Sequence, residues 1–122
     1  MIKYYKDENV QMQVQYMGED MCVHIFGGDR PHIGSIAIAE PRKSLLGDGN
    51  NSSTVSVFNF CGHKDDEVAV PVAKEVSSSL GCRCVVICGI HYENLQEGQL
   101  QLVKEMQQRI VRDIVHNFPM NR

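Results

Sequence analysis

The chain has little of what would mark several large classes of function. It carries no surplus of positive charge: twelve Lys and Arg stand against fifteen Asp and Glu, for a net charge of −3 and a pI near 5.9. Binding to a phosphate backbone needs a basic face, so nucleic acid is not expected as the main partner. No apolar run approaches the roughly 20 residues of a membrane-spanning helix. The opening residues Met1-Ile2-Lys3-Tyr4-Tyr5-Lys6 have no signal-peptide core. The expectation is a cytoplasmic protein with no membrane partner. Five cysteines are present without a CxxC pair, which argues against a zinc ribbon or a thioredoxin-type redox motif. Cys82 and Cys84 fall on one face of a strand-like segment, too closely tethered for a relaxed disulfide. With Cys22, Cys61 and Cys88 they read as reduced, small apolar side chains.

Catalytic signatures are missing as well. There is no Walker spacing, no GxSxG elbow, no HxxxH pair and no local signature of a thiol hydrolase. An enzyme is therefore not the first reading. Repeats, low-complexity tracts and linkers are also absent. What remains is enough apolar material for one core, 43% hydrophobic against 22% charged residues in 122, and hence a single domain over residues 1–122.

Val10-Gln11-Met12-Gln13-Val14-Gln15-Tyr16 alternates without a fault and predicts a strand with one buried and one wet face. Gly18-Glu19-Asp20 turns the chain, and Met21 to Phe26 returns as the second arm of a hairpin. After Gly27-Gly28 and the tight Asp29-Arg30-Pro31 loop, His32 to Ala39 forms a third strand with Ile36 and Ile38 on one face. Residues 40 to 53, rich in Gly, Asn, Ser and Asp, form a solvated loop. Thr54 to Phe60 is the fourth strand.

Val68, Ala69, Val72, Ala73, Val76 and Leu80 make a helical stripe. Pro71 leaves two starting points open: a loose first turn at Asp65–Glu67, or a regular helix beginning at Pro71 itself. Gly81 ends this helix as its C′ residue. Cys82 to Ile90 is nearly all apolar and reads as a central strand covered on both faces. Asn94 to Glu97 has capping-box spacing. The last helix carries Leu102, Val103, Met106, Ile110 and Ile114 on one face until Pro119. The fold class is α+β, a mainly antiparallel sheet of about five or six strands packed with two helices in the order ββββαβα.

Three glycine/histidine junctions stand out. Gly62-His63-Lys64 follows a strand and precedes a helix, whose unpaired first amides favour an anion. Lys64 and those amides suit a phosphate, with His63 as a further donor; the competing reading has Asp65 or Asp66 capping the helix. Arg30-Pro31-His32-Ile33-Gly34 holds an imidazole behind a proline-fixed turn, as a binding site requires. His91 follows Gly89 at the exit of the apolar strand, where loops commonly carry function. His32, His63 and His91 lack paired-ligand spacing, which argues against a metal.

In order and spacing, Gly27-Gly28-Asp29-Arg30-Pro31-His32-Ile33-Gly34, Gly62-His63-Lys64-Asp65, Ala73-Lys74 and Cys88-Gly89-Ile90-His91 together resemble the family of the D subunit of gallate decarboxylase. That family is described as a prenylated flavin chaperone, with a domain similar to the small proteasome assembly chaperones. The resemblance covers most of the chain and implies a non-catalytic accessory role for a flavin-dependent aromatic-acid decarboxylase, binding or delivering prenylated FMN or FMN. Joined with the junction chemistry, this makes His32, Gly34, Gly62, His63, Lys64 and His91 the expected cofactor site and a decarboxylase catalytic subunit the expected partner, while apolar Val, Met and Ile positions on helices and sheet allow a homodimer. An interaction module with no small ligand is the alternative, and a small metal-dependent enzyme using the three histidines is a third reading.

Overall fold

The structure is a computed structural model, and residues 1–60, 65–93 and 97–117 are described. Six strands and two helices follow in the order β1 (Ile2–Tyr5), β2 (Val10–Met17), β3 (Asp20–Gly28), β4 (Ser35–Lys43), β5 (Asn51–Asn59), α1 (Asp66–Leu80), β6 (Cys84–His91) and α2 (Glu97–Asn117). The strands form one sheet in the order β1-β2-β3-β6-β4-β5. All neighbours are antiparallel except β3 and β6, which run parallel in the register Met21↔Cys84 to Gly28↔His91. The α+β class and mainly antiparallel sheet agree with the sequence reading.

The alternation of β2 decides the layering. Val10, Met12 and Val14 are buried, and their counterparts Val23, Ile25, Ala37, Ala39, Cys84, Val86 and Cys88 share that face. Against it lie Val68, Ala69, Val72, Ala73 and Val76 of α1 and Met106, Ile110 and Ile114 of α2. Ala69 and Ala73 on the helix meet a sheet that offers Ala37 and Ala39 on β4, so small side chains bring the two layers close. Tyr5 joins α2 to the edge strand: its hydroxyl donates to Asp113 Oδ2 at 2.7 Å, and Lys3 Nζ lies 2.8 Å from the same oxygen.

α1 starts at Asp66 and carries Pro71 inside, which resolves the two starting points in favour of the early one. The missing proline N–H leaves the Glu67 carbonyl without its helical partner, a cost that packing of the buried stripe offsets. Gly81 ends the helix as expected, left-handed at φ 65° with its N–H donating to the Ser77 carbonyl at 2.9 Å.

Several boundaries differ from the sequence reading. β1 adds an edge strand that the run Ile2-Lys3-Tyr4-Tyr5 does not announce by alternation. The expected 40–53 loop shrinks, because β4 continues to Lys43 and β5 begins at Asn51. Pro41 is tolerated there because pairing with β6 stops at Ala39, so the end of β4 has a neighbour on one side only. The third strand starts at Ser35, not His32. Leu102 is exposed and lies off the buried stripe of α2. The strand Cys84–His91 is central, yet it is covered on one face only. Ile36 and Ile38 share the opposite, open face with Val85 and Ile87, and both helices lie on the other side. The capping residues 94–96 and Pro119 lie outside the described residues.

Candidate functional site

The segment 29–34 does not enter the sheet; it folds across the sheet's end. The amides of Asp29 and Arg30 donate to the His91 carbonyl at 2.6 and 3.4 Å, and the Gly34 amide donates to the Cys88 carbonyl at 2.9 Å. The Glu93 amide donates to Asp29 Oδ2 at 2.9 Å. Arg30 and Glu93 pair at 3.0 Å, and the same carboxylate lies 3.8 Å from His91 Nε2. These bonds clamp the loop to the exit of β6 and bring together two junctions that are distant in sequence. His32 and His91 end with ring centroids 6.4 Å apart, edge to face.

Two glycines make that crossing possible. A β-carbon at Gly89 would collide with the His32 carbonyl, so the loop backbone can lie directly on β6 only where no side chain rises. A β-carbon at Gly34 would strike the carboxylate of Asp65 and approach His32 Nε2.

Asp65 is the residue that sequence reasoning placed differently. It sits at the N-cap position of α1 but has helical dihedrals, φ −67° and ψ −15°, and makes no side-chain cap bond. Its carboxylate is buried and bridges other elements: Oδ1 accepts from the Ile90 amide at 2.8 Å, and Oδ2 lies 3.2 Å from His32 Nε2. His32 Nδ1 lies 2.9 Å from the Arg30 carbonyl, an acceptor, and therefore donates there. Nε2 and the Asp65 carboxylate lie within hydrogen-bond reach of each other. Asp65 thus ties the start of α1, the exit of β6 and the crossing loop into one rim. The signal for this role in sequence is slight, since an acidic residue at a helix start reads first as a cap.

Of the expected site residues, His32, Gly34 and His91 come together at this rim. Gly62, His63 and Lys64 lie outside the described residues, as does Cys61. The residues flanking that segment both touch the rim: the Phe60 amide donates to the Gly34 carbonyl at 3.0 Å, and Asp65 makes the contacts above.

Cys88, whose carbonyl accepts from Gly34, carries a buried thiol beneath the rim. Burial and then the Asp65 carboxylate push its pKa well above the ordinary value, so it is poorly suited to act as a nucleophile. Among the described residues, no group of three His, Cys, Asp or Glu is placed to hold a metal ion, and no helix is long and apolar enough to cross a membrane.

On the open face of the sheet, next to the rim, lies a hollow of about 390 Å³. It is walled by Pro31, His32 and Ile33 of the crossing loop and floored by His24, Phe26 and Ile87. His32 therefore faces the hollow as well as Asp65.

Residues 4–119 match the family described as the prenylated flavin chaperone LpdD-like domain. The chain is also 28% identical over 109 residues to Protein LpdD of Lactiplantibacillus plantarum, covering 86% of this chain and 75% of that protein. The match takes in every strand from β2 on, both helices and the whole rim, and the chain belongs to the prenylated flavin chaperone LpdD-like family.

Proposed function

We propose that this chain is a non-catalytic accessory protein that binds prenylated FMN, or FMN, and keeps or hands over that flavin for an aromatic-acid decarboxylase. Family membership supports the chaperone role. The observation that carries the flavin part is the meeting of His32, Gly34 and His91 at one rim, with Asp65 directly following Gly62, His63 and Lys64 in the chain.

The described residues fit a flavin at its ring end. Two imidazoles beside bare glycine backbone suit a flat heteroaromatic ring with carbonyl and N–H groups on its edge. The phosphate is a separate matter. Asp65 puts a carboxylate at the start of α1, and a carboxylate competes with phosphate for that helix end. Its two oxygens are taken by Ile90 and His32, and in this proposal the phosphate falls to His63 and Lys64. When bound, prenylated FMN is the group on which the partner's decarboxylation depends; the residues here hold and shield it. Co-expression with a prenylated-FMN-dependent decarboxylase tests the role: flavin loading of the partner rises with this chain present. Equal loading with and without it contradicts the proposal.

A second reading, a protein-interaction module, is favoured by the open sheet face. Ile38, Phe58 and Phe60 there are 51%, 61% and 46% exposed, where an ordinary one-sided sheet shows polar residues. A decarboxylase subunit or a second copy of this chain would cover it. Light scattering of the purified chain separates these: a monomer leaves the face to a different protein, and a dimer broken by Ile38→Glu assigns it to self-association.

A further inference from the structure

We infer that the hollow on the open face of the sheet is the subsite for the ring system of the flavin, with the prenyl-derived apolar extension against Ile33 and Ile87. The inference rests on the flavin reading above and adds to it His24, Phe26 and Ile87 of the open sheet face, together with Ile33 of the crossing loop.

The hollow exists because of how the chain crosses the sheet. Gly89, the register partner of Phe26, carries no side chain, and the His32 carbonyl lies over it. The loop then rises from the sheet surface, so that Pro31, His32 and Ile33 stand as a wall over a floor made by His24, Phe26 and Ile87. The loop's clamps to the His91 and Cys88 carbonyls fix that wall. A volume of about 390 Å³ falls within the range of small-molecule sites, roughly 300–1,000 Å³.

Chemistry selects the occupant. Floor and wall are apolar apart from two imidazoles, and His24 and Phe26 pair across β2 with Gln13 and Gln11 on the same face. A flavin ring has the same division. Its dimethylbenzene side is apolar and its other side carries carbonyls and an N–H that imidazole and amide groups can bond. An isoprenoid addition enlarges the apolar side, which Ile33 and Ile87 are placed to meet. Ile33 is 58% exposed at the lip, where its side chain is accessible to a ligand in the hollow. His32 belongs to both surfaces, so a ligand with its ring in the hollow turns the carbonyl and N–H edge of that ring toward the rim imidazoles.

The test is a titration of riboflavin, FMN and prenylated FMN into the purified chain, followed by flavin fluorescence and calorimetry, with thermal melts as a folding control. Ile33→Asp is the primary variant because it lies on an exposed loop, and Ile87→Thr is the second because it keeps a β-branched residue in the strand. Both weaken flavin binding by about tenfold or more, a loss of about 1.4 kcal/mol. Ser56→Ala, on the same face but outside the hollow, leaves it unchanged. Wild type that binds a flavin while folded Ile33→Asp binds it equally well overturns the ring subsite and leaves the flavin reading standing. Wild type that binds none of the three overturns both.

Discussion

Asp65 Oδ2 lies 3.2 Å from His32 Nε2 across 33 positions of sequence, and this contact links the start of α1 to the loop that crosses the sheet. A residue at a helix start normally serves its own helix. Here the first-turn amides of Val68 and Ala69 are satisfied by the Asp65 backbone carbonyl, at 3.1 and 2.9 Å, which leaves the carboxylate available to bridge.

That division predicts the outcome of Asp65→Ser. Serine caps helices about as well as aspartate, so a capping role predicts almost no change. Loss of the bonds to the Ile90 amide and His32 instead predicts a destabilisation of about 1–3 kcal/mol, read from the urea midpoint at constant slope.

Gly89→Ala tests the close approach of loop and strand. The new methyl meets the backbone carbonyl of His32, which cannot swing aside as a flexible side chain would. The expected cost is about 1–3 kcal/mol, with a shift of the His32 ring resonances because the loop must lift. Unchanged stability and unchanged ring signals would contradict the described crossing.

The thiols should separate by burial. Cys84 is pushed up to about 12, chiefly by burial and also by Cys82 and Cys22, and burial, then the Asp65 carboxylate, raises Cys88 well above its ordinary value. Cys22 is also raised by burial, yet it is partly accessible on the open face beside His24, with Sγ 3.5 Å from Nε2. With iodoacetamide at pH 8, mass mapping should find Cys22 alkylated in the folded chain and Cys84 and Cys88 only in denaturant. Rapid labelling of Cys88 in folded protein would count against a buried thiol beneath the rim.

Acid should act on the contact between α2 and β1. Burial alone would raise the Asp113 carboxyl, but hydrogen bonds from Lys3 and Tyr5 and the nearby charges of Lys3 and Arg112 outweigh it and hold the group below its ordinary value. A lowered folded value means the contribution is complete above the unfolded value of about 3.9 and is lost as pH falls through the lower folded one. Stability should therefore fall more steeply below about pH 4 in wild type than in Asp113→Asn.

The parts of the fold legible in sequence were those with a strict period. The faultless alternation of β2 marked its buried face, and Gly81 marked the end of α1 because a left-handed residue is needed there. β1 was illegible because Tyr4 and Tyr5 are both aromatic whichever face they take. Ile36 and Ile38 illustrate a different limit: period two places them together but does not say whether that side faces helices or solvent, and both helices lie on the other. At the site, glycines and histidines were visible as junctions, and two of those junctions meet. Asp65 was misread because its sequence position fits a cap, and only tertiary structure shows where a carboxylate points. The hollow was invisible for a related reason, since its floor comes from the outward residues of β3 and β6 and its wall from a loop.

The most direct test of the account is calorimetric titration of prenylated FMN into the purified chain, alongside His91→Ala and Lys64→Ala. The account predicts saturable binding near one flavin per chain, weakened about tenfold or more in each variant while the melting temperature is held. Wild-type protein that takes up no flavin, or variants that bind it undiminished, would contradict the account.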